Sequence, residues 1–258
     1  GEGCGLPRGE EPAGLCGFPG GPRSGTCLHA LLESLDFTGL DSRALSDAVL
    51  GVLREHGFDP AWEESVCRMV RTVISTPLDP ERKGLRLDRV STADRLNELS
   101  FFLPLRRVSP DMLRDLLLPH GASDLPETLP EQIGRLRFSP VRGALHGFVD
   151  LVFRFKGRYF IVDWKSNDLG PSLEDYRRER IEAAMADGFY HLQYLLYTLA
   201  LDRYLSSRVP GYDYGAHFGG VFYVFLRGVD PGRGPGHGVF HASPPEPLIR
   251  RLCEGLLP

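Results

Sequence analysis

The sequence predicts an α/β fold: a mixed central sheet flanked by helices, with an added helical part at the N-terminal side. Three observations predict it. Two β-rich apolar runs, 143–155 and 158–165, meet across Lys156-Gly157 and read as a hairpin. Helical periodicity fills the chain before that hairpin and resumes after it. A third apolar run, 218–227 (FGGVFYVFLR), then follows two helices, as a buried strand would. The helical part covers about residues 24–98 and the sheet-bearing core about 99–258.

In chain order, residues 1 to about 23 are rich in Gly, Pro and Glu and read as a linker or disordered arm. A first helix is expected over 24–37, with Ser24 or Thr26 as its cap, a second over 44–56 stopped by Gly57, and a third over 61–75 stopped before Pro77. Residues 99–105 (LSFFLPL) read as a strand ended by Pro104. A short helix over 109–118 and a loop-rich stretch over 119–140 precede the hairpin. Helices over 173–186 and 191–206, a Gly/Pro loop over 228–245 and a final helix over 247–257 complete the reading.

The 258 residues suffice for a sizeable core, with 42% hydrophobic and 25% charged residues. No apolar run reaches the ~18 residues of a membrane span, and the first residues lack the apolar centre of a signal peptide, so a bacterial cytoplasmic location is expected. The five cysteines are scattered, with no CxxC pair, which predicts free thiols and neither a zinc site nor an iron–sulfur cluster. A net charge of −4 is unusual for a free-standing DNA binder, so the basic surface is local or a partner delivers the nucleic acid. Of the 30 basic residues only Lys83, Lys156 and Lys165 are lysines.

The hairpin concentrates the chemistry. With a two-residue turn at Lys156-Gly157, Asp150 falls opposite Asp163, and Lys165 shares the face of Asp163. Directly opposed side chains have Cβ atoms about 4.5–5.5 Å apart, and like charges there repel. In an apolar hairpin such a pair needs compensation, and a divalent cation bound by carboxylates supplies it, with Mg²⁺ as the expected ion. Such a site suits phosphodiester hydrolysis, with Lys165 holding the nucleophile or offsetting developing charge. The bland alternative is two solvated edge carboxylates with Lys165 as an ordinary ion-pair partner.

The segments GFVDLVFRFKGRYFIVDWKSNDLG, LQYLLYTLALDRYL and FGGVFYVFLRGVD closely resemble the RecB-type nucleases of the PD-(D/E)xK superfamily, the C-terminal nuclease domains of bacterial RecBCD helicase–nucleases (exodeoxyribonuclease V). GTCLHALLESLDF and NELSFFLPL extend the resemblance over nearly everything after the first ~20 residues. The resemblance implies a restriction-endonuclease-like core and DNA hydrolysis on single strands fed by a helicase, in double-strand-break repair and DNA degradation. It implies one or two Mg²⁺ ions, no iron–sulfur cluster and no ATP site. It implies His29, Asp150, Asp163 and the Trp164 carbonyl as metal ligands, and Asp150, Asp163 and Lys165 as catalytic groups. Gln193 and Tyr197 match the QxxxY signature, and Glu98 a family acidic position. Val149 stands where the superfamily name has Pro. The implied partners are DNA, the helicase part of the same chain, RecC, RecD and RecA, with no membrane. Arg177, Arg178 and Arg180 are candidates for phosphate contact or simply a solvated helix face. His146, His191 and His217 have no motif behind them. Two rivals remain: a catalytically silent nuclease fold acting as a DNA-binding or docking scaffold, and another RecB-like nuclease of the Cas4 or AddB type. The intact set of His29, Asp150, Asp163 and Lys165 argues against the first, and the scattered cysteines against the second.

Overall fold

A computed structural model describes residues 11–82, 84–117, 129–136 and 141–258. The first three helices are α1 (Pro22–Ser34), α2 (Ser42–Glu55) and α3 (Glu63–Ser75). Strand β1 (Arg95–Val108) leads through α4 (Pro110–Leu117) and α5 (Leu129–Gly134) to the hairpin strands β2 (Val141–Phe155) and β3 (Arg158–Lys165). Then come α6 (Arg178–Asp187), α7 (Tyr190–Arg208), α8 (Tyr214–His217), β4 (Phe218–Phe225), β5 (Val239–Ala242) and α9 (Glu246–Leu256). The five strands form one sheet in the order β1-β2-β3-β4-β5, antiparallel except for the parallel pair β3–β4. That parallel pair needs a crossover, and α6 and α7 provide it.

The sheet separates two apolar cores. On one face Leu151, Phe153, Phe160, Val162 and Trp164 pack with the stripes of α1–α3, such as Leu28, Leu31, Val49 and Val70. On the other, Val149, Val152, Ile161, Tyr223 and Phe225 pack with α7 and α9 through Leu195, Leu199 and Leu252. The helical part and the sheet therefore share a core.

Several expectations are corrected. Residues 11–21 are no free arm: Leu15 and Phe18 are buried, and Phe18 stacks near Phe58 and Trp62. Leu15 and Phe18 supply the apolar contacts, and backbone hydrogen bonds from Ala13 to Pro171 and from Gly14 to Arg227 tie the stretch down. Ser24 and Thr26 are not caps but lie inside α1, bonding back to the carbonyls of Gly20 and Pro22; Gly21 and Pro22 start the helix instead. Pro104 does not end β1, because β1 is an edge strand, where a missing N–H is tolerated. The stretch 119–140 lies partly outside the described residues, yet Leu129–Gly134 is helical. The helix expected over 173–186 is broken at Arg177, whose backbone is extended; a 3-10 turn (Leu173–Tyr176) with a Ser172–Asp175 capping box precedes α6. The loop expected over 228–245 contains β5, too short to give a pattern. Finally, Cys27, Cys67 and Cys253 are free thiols, but Cys16 is disulfide-bonded. Spacing along a chain does not report distance in a fold.

Candidate active site

The hairpin turn has positive φ at both Lys156 (49°) and Gly157 (80°), the backbone of a type I′ turn whose twist matches the strands. The register is the expected one, from Phe155 opposite Arg158 to Leu151 opposite Val162. The ladder stops there, one pair short of Asp150 and Asp163. The β1–β2 ladder skips the same place, between Asn97 opposite Leu151 and Leu99 opposite Val149. On β1 the skipped residue is Glu98, with φ 46°. Alternation also breaks: Val149 and Val152 pack on one face, Leu151 and Phe153 on the other. Asp150 thus sits at a kink rather than in a regular cross-strand pair, and its carboxylate turns to new partners. Its Oδ2 accepts a hydrogen bond from the Trp164 N–H at 2.7 Å, and its Oδ1 lies 3.6 Å from His29 Nδ1.

His29 is delivered by α1, which approaches closely: a Cβ on Gly25, one turn earlier, would stand 3.1 Å from Ser166 Oγ. Burial favours the neutral imidazole. The hydrogen bond and charge of Asp150, the charge of Asp163 and the Trp164 backbone outweigh it and raise the His29 pKa. Those same neighbours would hold a cation.

Asp163 is 3% exposed. Burial drives its pKa up to about 7, with Lys165 pulling it down and Asp150 pushing it up. Lys165 Nζ stands 2.6 Å from the buried Asp163 Oδ2 in an ion pair. Lys165 Nζ also donates to Gln193 Oε1 at 3.1 Å and lies 3.8 Å above the Tyr190 ring and 5.0 Å from the Tyr223 ring. Gln193 Oε1 also accepts from Tyr223 Oη at 3.0 Å, while its Nε2 donates to Tyr197 Oη at 2.9 Å. Burial, then the charges of Asp163 and Asp150, hold both tyrosines well above their usual pKa.

Thus β3 and α7 bring Asp163, Lys165, Gln193 and Tyr197 together, and α1 and the kinked β2 bring His29 and Asp150. Glu98 is exposed beside that kink. Arg177 and Arg178 lie on an exposed face and pair with Glu179 and Glu182, and Arg180 pairs with Asp175. Sequence reasoning missed Tyr190 and Tyr223. Tyr190 is three residues before Gln193 on the same helix face, and Tyr223 needs the parallel pairing of Asp163 with Tyr223 to be found.

Among the described residues no three His, Cys, Asp or Glu side chains form a ready metal cage. Lys165 and the Trp164 N–H occupy the carboxylates instead. The donor set nevertheless fits a hard divalent cation: two carboxylates, one of them buried, and an imidazole beside them.

A family model described as the PD-(D/E)XK nuclease superfamily matches residues 19–247. The chain belongs to the PD-(D/E)XK nuclease superfamily. Members of that superfamily generally use divalent metals. The chain is 39% identical over 238 residues to RecBCD enzyme subunit RecB of Escherichia coli, covering 92% of this chain and 19% of the relative. It is 36% identical over 244 residues to the Haemophilus influenzae subunit, covering 94% and 19%. The subunit of Mycobacterium tuberculosis strain H37Rv is 36% identical over 267 residues, covering 93% and 24%. The chain thus spans about a fifth to a quarter of these relatives. In this PD-(D/E)XK domain Gln193 Oε1 holds Lys165 Nζ at 3.1 Å, the geometry a positioning residue for that ammonium would have. Gln193→Leu is expected to lower kcat about 10- to 100-fold with KM little changed, as losses of supporting hydrogen bonds do. Steady-state kinetics on single-stranded DNA check this; an unaltered kcat would release Gln193 from the role.

Proposed function

We propose that this chain is a Mg²⁺-dependent deoxyribonuclease domain that hydrolyses phosphodiester bonds in single-stranded DNA. The observation that carries the reading is the buried Asp163 carboxylate, ion-paired to Lys165 at 2.6 Å and near Asp150 and His29. Asp150, Asp163, His29 and the Trp164 carbonyl would hold the ion. Bound Mg²⁺ supplies Lewis acidity at the phosphate and lowers the pKa of water. Lys165 keeps its ammonium between Asp163 and Gln193, where it can orient the attacking water or offset charge on the phosphate. Tyr190 and Tyr223 screen that ammonium from solvent and fix its position.

The same reading makes the chain the nuclease part of a RecBCD-type complex in the bacterial cytoplasm. A helicase part of the same protein delivers the unwound strand, RecC and RecD are the partner subunits, and RecA is a further contact with no residue assigned. The relatives' names and the −4 net charge support delivery of DNA by partners. No helix among the described residues is long and apolar enough to cross a membrane.

The test is cleavage of single-stranded DNA. Cutting is expected with Mg²⁺, to stop in EDTA and to return on adding Mg²⁺ back. Lys165→Ala is expected to slow it by roughly 10²-fold, the scale of losing one preorganised charge-stabilising group. Cutting that persists in EDTA would remove the metal from this account.

A further inference from the structure

The β1–β2 pair carries exposed aromatic rings that neither core uses. Leu99, Phe101, Leu103, Leu145 and Val149 point into the α7-side core. The alternate residues therefore face the α1 side, where Phe102 is 68% and Phe148 48% exposed. Cross-strand pairing sets Phe102 opposite His146 and Ser100 opposite Phe148. The patch is pre-ordered: Ser100 Oγ lies 3.2 Å from His146 Nε2, and the His146 ring meets Phe148 edge-on at 5.0 Å. Phe148 is two residues from Asp150, about 7 Å along the strand.

Resting on the nuclease reading above, we propose that Phe102, His146 and Phe148 form a platform on which bases of single-stranded DNA stack as the strand enters the active site. Three observations favour this occupant. The platform is continuous with the site, because β2 carries it directly to Asp150, which meets His29 of α1. Exposed rings suit a ligand whose every unit offers an aromatic face, independent of sequence. A cation also borders it. Arg106 is exposed farther along β1 and forms no ion pair among the described residues. It can meet a phosphate while bases lie on the rings.

The experiment measures binding of a fluorescent oligo(dT) and of an abasic strand of equal length, in an Asp163→Asn background so that neither is cut. Phe102→Ala/Phe148→Ala is expected to weaken oligo(dT) about 10-fold or more, given the ~1–3 kcal/mol per stacked base. Abasic binding should change little. Phe102→Trp keeps a ring and should retain affinity, which separates stacking from misfolding. Equal oligo(dT) binding by the double alanine variant and its parent would overturn the platform. So would equal loss on both strands, or unchanged DNA binding with lost association of partner subunits, which would make the patch a protein interface. Cleavage by the otherwise unaltered protein tests the nuclease reading separately: a chain that cuts normally but shows no ring dependence refutes the platform alone.

Discussion

Asp163→Asn is expected to abolish DNA cleavage, by about 10³-fold or more, while making the metal-free chain more stable above neutral pH. The two effects share one cause. Burial raises the Asp163 pKa from 3.8 to about 7. Between those values the folded chain keeps a proton that the unfolded chain releases, so stability falls as pH rises through that window. Ionising it in the fold therefore costs stability, on the order of a few kcal/mol by pH 8. Asparagine keeps the shape without the charge and is free of that cost. Thermal unfolding in EDTA should therefore show the parent losing stability from pH 5 to 8, with Asp163→Asn much flatter. A divalent cation should restore stability at pH 8 in the parent and not in the variant. If the parent's unfolding temperature were flat across this range, the carboxylate would not be stored in the fold as a strained charge.

The largest purely structural effect is expected at Arg227. It is 2% exposed at the end of β4 and donates to four carbonyls: Ser166 at 3.0 Å, Leu15 at 3.2 Å, Phe18 at 2.8 Å and Pro19 at 2.7 Å. The nearest carboxylate, Asp168, is 4.0 Å away. This guanidinium pins residues 15–19 to the segment that follows Lys165. Arg227→Met keeps the apolar stem and removes every donor, leaving carbonyls to find water or go unsatisfied. A loss of roughly 3–5 kcal/mol is expected, as when one side of a buried polar network is deleted. For a domain of this size that is a fall of about 10 °C in unfolding temperature. Limited proteolysis should open residues 11–19 first. A variant that melts within ~2 °C of the parent would show that other contacts hold the segment.

The hairpin, its turn and its register were legible in the sequence, because two apolar strands around Lys156-Gly157 have one pairing that buries both. The helices were legible from their stripes, apart from their ends, where Gly21, Pro22 and Asp41 rather than the apolar pattern set the start. The residue types of the candidate site were legible too: an Asp-x-Lys on one strand of an apolar hairpin with a second Asp on the other, and the QxxxY spacing.

What the sequence by itself determined is local: which residues are helical or extended, and which acids and amine the hairpin carries. Tertiary structure alone decided where they point. It broke the alternation at Asp150 and Glu98, brought His29 across from α1, laid Tyr190 and Tyr223 over Lys165, and buried Leu15 and Phe18 under Arg227. The physical reason is that periodicity encodes the direction of a side chain only while the backbone repeats. A site built at a kink, between elements distant in sequence, depends on contacts that no local pattern records.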